Sequence, residues 1–232
     1  MPRDTFEIQI NALKRQVLTL GARVEGTIGE GVEALRTKDR VLAEAIVRND
    51  EEINRKRYEI EEGCYTLIAT QQPLAGDLRG IISILLIAIE LERIADHSKN
   101  LAEIVFRMGD EPLLKPVSDI PRMAELVQSM LARALDAFAR GDAQAARGVI
   151  VMDDQIDALY VQVFRIMMTY VAEDPRTVAR ALHLLFAAHN LERAADRVTN
   201  IGERVIYAAT GSLQDLNVER PLSDQVEVNG RA

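Results

Sequence analysis

The chain has 232 residues, 48% of them hydrophobic but only 4% aromatic, with no tryptophan and a formal charge of -8. This acidity argues against a nucleic-acid phosphate backbone as ligand, and the single cysteine, Cys64, excludes an intramolecular disulfide. A chain of this length buries a real core, and one dominated by Ala, Leu, Ile, Glu and Arg does so with long helices packed on one another. The N-terminus, Met1-Pro2-Arg3-Asp4, has no charged-then-apolar signal layout. The most apolar stretch, Ile81 to Ile89, is far shorter than the roughly 20 residues that span a bilayer, so the expectation is a cytoplasmic protein with no membrane insertion.

Apolar residues recur at helical spacing almost throughout, and no segment alternates like a strand for long. The spacing predicts helices over roughly 4–36, 39–70, 74–109, 119–140, 142–171 and 176–210. Thr37-Lys38-Asp39 and Gly141-Asp142 offer a capping residue to the second and fifth. Pro73 and Pro175 interrupt the pattern, each suited to the first turn of the helix that follows. Pro112, Pro116 and Pro121 cluster in the best linker of the chain. Gly26, Gly29 and Gly31 lie inside a helical segment and point to close helix packing rather than phosphate binding. Beyond Gly211 the periodicity dies away, as in a loose tail.

The chain repeats itself. Glu92-Arg93-Ile94-Ala95-Asp96-His97-Ser98-Lys99-Asn100-Leu101-Ala102-Glu103 returns one hundred positions later as Glu192-Arg193-Ala194-Ala195-Asp196-Arg197-Val198-Thr199-Asn200-Ile201-Gly202-Glu203. Upstream the shift is 103: Asp39 answers to Asp142, and Asp50, Ile53 and Asn54 to Asp153, Ile156 and Asp157. The change of shift falls near the Pro73 and Pro175 turns, where length is easiest to alter. The expected architecture is therefore all-α: two tandem antiparallel three-helix bundles related by duplication. They cover residues 1–112 and 113–211, followed by a C-terminal tail at 212–232.

The repeated positions are mainly polar, which a repeat that only filled a core would not require. With Glu92 at zero on a helical wheel, Glu103 falls at about 20°, Asp96 at about 40° and Asn100 at about 80°. Four oxygen-bearing side chains thus share one face, and Glu192, Asp196, Asn200 and Glu203 repeat it. Stacked acids weaken an isolated helix by a few tenths of a kcal/mol per pair, so something must offset them. One answer is ion pairing with Arg93, Arg193, Lys99 or arginines of neighbouring helices. The other is metal ligation, for which carboxylates and amide oxygens suit Mg²⁺, Mn²⁺ or iron, and the absence of Cys ligands disfavours structural zinc. The duplication favours metal, with the eight residues of the two faces as ligands. Asp50 with Asn54, and Asp153 with Asp157, repeat the acid-x-x-x-oxygen spacing but are equally accounted for by helix solvation or N-terminal charge. His189, one turn before Glu192, lies near the second face only, because Ile89 is its counterpart.

No catalytic residue stands out, and a non-enzyme is expected. Di-iron carboxylate bundles place a histidine three residues after the acid, where this chain has Ala95 and Ala195. Two alternatives stay open on residues alone: a carboxylate-bridged di-metal oxidase, and a plain helical scaffold with arginine-paired acids.

Glu92 and Asp96 in LERIADHSKNLAE and Glu192 and Asp196 in LERAADRVTNIGE give two Glu-x-x-x-Asp motifs. With TKD at 37–39, GD at 141–142 and TQQPLAGDLR at 70–79, the chain resembles the PhoU family of phosphate-uptake regulators over about residues 4–210. The resemblance implies a cytoplasmic, homodimeric negative regulator of the phosphate-starvation response. It implies an adaptor between the ATPase subunit of the phosphate ABC transporter and a phosphate-sensing histidine kinase. It further implies metal at the paired motifs, as a multinuclear iron cluster or alternatively Zn, Mn or Mg. Lys99 beside the first acidic face departs from the pattern and puts metal occupancy of the first bundle in question.

Overall fold

The computed structural model describes residues 2–109, 111–114 and 118–212, with only the backbone of Pro2 and Arg3. The helices are α1 (Pro2–Thr37), α2 (Arg40–Gln71), α3 (Ala75–Arg107), α4 (Asp119–Arg140), α5 (Ala143–Ile150), α6 (Asp153–Glu173) and α7 (Val178–Thr210). A single 3₁₀ turn, Pro175–Thr177, precedes α7, and there is no strand among the described residues. Most of the expected tail, residues 213–232, lies outside the described residues.

The duplicated caps behave alike. Asp39 Oδ1 accepts from the Leu42 amide at 3.0 Å, and Asp142 Oδ1 from the Gln144 and Ala145 amides at 3.0 and 2.9 Å. The residue before each turns left-handed, Gly141 at φ 65° and Lys38 at φ 56°. Lys38 is strained where glycine is not. Pro121 falls in the first turn of α4 rather than in the linker, where its missing N–H leaves no bond unmade. Pro73 precedes Leu74, the N-cap of α3, so it stands outside the first turn expected for it.

One predicted helix divides. The segment 142–171 is broken at Val151-Met152, where the Met152 and Gln155 amides bond three residues back instead of four. Gly148 stands where the first half has Ala45, and Val151 where it has Arg48. Glycine and three consecutive β-branched residues, Val149 to Val151, weaken the helix there. Asp153 and Asp154 then open α6 at its electropositive end.

Helices α1, α2 and α3 pack together, as do α4 to α7, and the halves join through α1 on α4 and α3 on α7. The four joining helices form the centre; α2 flanks one side and α5–α6 the other. Val17, Leu20, Val24 and Ile28 of α1, Ile84, Ile87 and Leu91 of α3, Val127 and Leu131 of α4, and Val198 and Ile201 of α7 are fully buried in one continuous core. Each large side chain so buried stabilises by about 1.5–3 kcal/mol. Close approach is real at Gly31, where a Cβ would lie 3.1 Å from the Ser98 carbonyl oxygen on α3; at Gly26 nothing lies within 4 Å.

The α3–α7 seam shows the duplication as geometry. Asn100 donates to Asn190 Oδ1 at 3.0 Å, and His97 Nδ1 lies 3.1 Å from the same oxygen. Across the axis Asn200 donates to Glu90 Oε2 at 3.4 Å, and Arg197 sits 3.6 Å from it. Positions 90 and 190 thus each meet 97 and 100 of the opposite repeat, so the two helices run antiparallel about a pseudo-two-fold.

Candidate functional site

Each half carries its acids on the groove between its outer helix and its long third helix. In the first half Glu92 and Asp96 of α3 look toward Asp50 and Asn54 of α2. Asp50 is only 5% exposed; its Oδ2 accepts from Lys99 Nζ at 2.8 Å and Asn54 Nδ2 at 3.2 Å, while Oδ1 is buried with no hydrogen-bond partner. Burial raises the carboxyls of Glu92 and Asp96 above their ordinary range. Asp96 and Asp50 add to the shift at Glu92, against Arg57 and Arg93; at Asp96, Asp50 adds to it against Lys99, His97 and Arg93. Lys99 lies about 20° from Glu92 on the wheel, opposite in sense to Asp96, and so stands on the acidic stripe itself. Its hydrogen bond to Asp50, with the charges of Asp50, Asp96 and Glu103, holds the ammonium above the usual lysine range.

In the second half Glu192 and Asp196 of α7 look toward Asp153 and Asp157 of α6. Asp153 is 8% exposed, and its Oδ1 has no hydrogen-bond partner. Burial, then the charges of Asp157, Asp196 and Glu192, push its carboxyl up to about 7. Glu192 is likewise pushed up to about 7 by burial and then by Asp196 and Asp157, with Arg193 opposing. Asp157 moves in the same direction, through burial and the charges of Asp196 and Asp154. His189 Nδ1 lies 3.3 Å from Glu192 Oε2, yet that buried oxygen has no partner in hydrogen-bond geometry. Asp196 pairs with Arg193 at 3.0 Å.

The expected ligands therefore separate into groups. Glu92 with Asp96, and Glu192 with Asp196, stand in the grooves as the wheel places them. Glu103 pairs with Arg107 at 2.9 Å, and Glu203 is half-buried at the same angle on α7. The amides of Asn100 and Asn200 are engaged in the α3–α7 seam. Asp50 and Asp153, which the spacing alone left ambiguous, are the most buried acids of the two grooves. The signal that marks them was present, as the acid-x-x-x-oxygen repeat at a shift of 103.

Among the described residues, no three His, Cys, Asp or Glu side chains converge closely enough to hold a metal ion as they stand. The donor chemistry nonetheless fits a hard cation: buried oxygens of Asp50, Asn54, Asp153 and Glu192 lack partners, and the carboxylates of each groove raise one another. Glu92, Asp96 and Asp50 in one groove, and Asp153, Asp157, Glu192 and Asp196 in the other, are the side chains that would supply the donors once drawn together. Cys64 takes no part; it is buried away in the first bundle, its thiol pushed up to about 12 by burial and by Glu61.

The PhoU domain family model matches this chain twice, over residues 17–105 and 120–205. The phosphate-specific transport system accessory protein PhoU homolog of Caulobacter vibrioides is 37% identical over 213 residues, covering 91% of this chain and 92% of that protein. The protein of the same name from Aquifex aeolicus is 39% identical, covering 88% and 93%. The crystal structure of the phosphate transport system regulatory protein PhoU from Streptococcus pneumoniae superposes with a TM-score of 0.85 at 33% identity, covering 91% of this chain and all of that one. PhoU from Pseudomonas aeruginosa gives 0.84 at 36%, covering 89% of this chain and all of that one.

Proposed function

The chain belongs to the PhoU family, and on that premise we propose that it is a non-catalytic accessory regulator of phosphate transport. It acts in the cytoplasm as a homodimeric adaptor between the ATPase subunit of a phosphate ABC transporter and a phosphate-sensing histidine kinase, and represses the starvation response when phosphate is plentiful. The observation that carries this reading is the match of both halves to relatives named as accessory proteins of phosphate-specific transport. In keeping with it, no described helix is long and apolar enough to cross a membrane. Metal at the two grooves, iron or alternatively Mn, Zn or Mg, is part of the proposal. The buried carboxylate oxygens that no donor reaches, on Asp50, Asp153 and Glu192, support it.

The test is genetic and biochemical. Deleting the gene should switch on phosphate-starvation genes in phosphate-rich medium, and the full chain should co-purify with the transporter ATPase and the kinase. A deletion strain with normal repression, together with recovery of neither partner at high or low phosphate, would sink the reading.

A further inference from the structure

The two grooves are equivalent by duplication and unlike in charge. Along the first, Asp50, Glu92 and Asp96 face Lys99, with Arg57 close enough to act on Glu92. At the corresponding positions of the second stand Asp153, Glu192 and Asp196, then Thr199 for Lys99, Tyr160 for Arg57 and the further acid Asp157 for Asn54. The first set carries a net charge of minus one and the second minus four, counting those positions alone; Arg57 also pairs with Glu61, and with that acid included the first set is minus two. Arg193 takes up one of the second set's acids, Asp196. Thr199 offers no charge, and its hydroxyl bonds back to the Asp196 carbonyl at 2.7 Å.

We propose that Lys99 is a built-in cation which occupies the first groove, so that metal binds this protein at the second groove alone. This rests on the metal-binding reading given above and restricts it from two grooves to one. Two observations carry it independently. Lys99 Nζ sits 2.8 Å from the most buried acid of the first groove, on the acidic stripe itself, where the charges of Asp50, Asp96 and Glu103 act on it. In the second groove, Asp153 is more than nine-tenths buried beside three further carboxylates, with an oxygen that no donor reaches. A divalent cation held by those carboxylates would supply the positive charge that Lys99 supplies in the other half. An ammonium and a divalent ion cannot share the small space between the same carboxylates without strong repulsion. Lysine is a compact point charge on a flexible stem and suits such a stand-in.

The experiment uses the full chain stripped of metal and dialysed against manganous chloride, with bound Mn²⁺ measured by elemental analysis and the thermal midpoint followed alongside. Wild type should retain Mn²⁺, and the Asp153→Asn, Asp157→Asn double variant should lose it. Lys99→Thr, which installs the residue of the other half, should roughly double the retained Mn²⁺, and Asp50→Asn added to it should return retention to the wild-type level. Retention of Mn²⁺ by the Asp153→Asn, Asp157→Asn variant, lost only on adding Asp50→Asn, overturns the role of Lys99 and leaves the metal-binding reading standing. No Mn²⁺ on wild type or any variant overturns both. Where Lys99→Thr fails to fold, the Asp153→Asn, Asp157→Asn result in the Lys99 background still decides.

Discussion

The two halves of this molecule share a fold and a motif but solve one electrostatic problem differently. Both bury an acid on the outer helix against a Glu-x-x-x-Asp pair on the third. In the first half Asp50 lies in mid-helix and is met by Lys99 at 2.8 Å. In the second Asp153 opens α6, where the helix N-terminus favours a negative charge, but no side-chain cation reaches its Oδ1. A duplicated site need not keep a duplicated charge. Once the backbone places the acids, the residue at position 99 or 199, with Arg57 or Tyr160 and Asn54 or Asp157 beside it, sets how far the groove is neutralised from within.

The sharpest way to break this contrast is to remove the internal cation. Lys99→Met keeps the aliphatic stem and leaves Asp50, Glu92 and Asp96 facing one another. The metal-free protein should lose about 2–3 kcal/mol at pH 8, read by urea unfolding. Loss below about 0.5 kcal/mol would mean that the Lys99–Asp50 pair is an ordinary surface contact.

The same operation on the other half should have the opposite sign. Asp153→Asn removes a buried carboxylate from a set of like charges and should raise the stability of metal-free protein by about 1–2 kcal/mol at pH 8. Destabilisation by that substitution would show that the helix N-terminus already satisfies Asp153.

Acidity offers a third handle. Asp153 and Glu192 titrate at about 7 in the folded chain, above the ordinary carboxylate values they regain on unfolding. Between those values the folded chain binds more protons than the unfolded one, so stability falls as pH rises toward 7 and beyond it levels off. Metal-free protein should therefore melt about 5 °C higher at pH 5.5 than at pH 8. Saturating Mn²⁺ should reduce that difference, because a bound cation holds the acids ionised. A melting temperature that rises with pH over this range would contradict the uncompensated groove.

Much of this was legible in the sequence because it is periodic. The 100- and 103-residue shifts locate the duplication, the caps Asp39 and Asp142, and the acids of α3 and α7 on one stripe. What periodicity cannot supply is register between helices. That Lys99 meets Asp50 depends on how α2 slides along α3, and that Asn100 turns to Asn190 depends on α7 crossing α3. A wheel drawn on one helix groups Asn100 with Glu92, whereas the partner helix draws its amide into the seam. The division of the fifth helix was different in kind. Gly148 followed by Val149, Ile150 and Val151 is a local signal, hidden because the apolar spacing continues unbroken through it.

That break also yields the smallest and most local test of the contrast between halves. Gly148 is exposed, its φ lies outside the left-handed region, and a Cβ there would meet nothing within 4 Å. Alanine, the residue at the matching position 45, therefore fits without strain. Gly148→Ala should stabilise the protein by about 0.5–1 kcal/mol, through the unfolded chain's lost freedom and the better helix propensity of α5. Hydrogen exchange at the Val151 and Met152 amides should slow with it, as the turn between α5 and α6 shifts toward continuous helix. If α5 and α6 instead stay apart because Asp153 needs a helix N-terminus, stability will rise while exchange at Met152 does not change. That outcome would assign the break to the acidic groove rather than to the glycine.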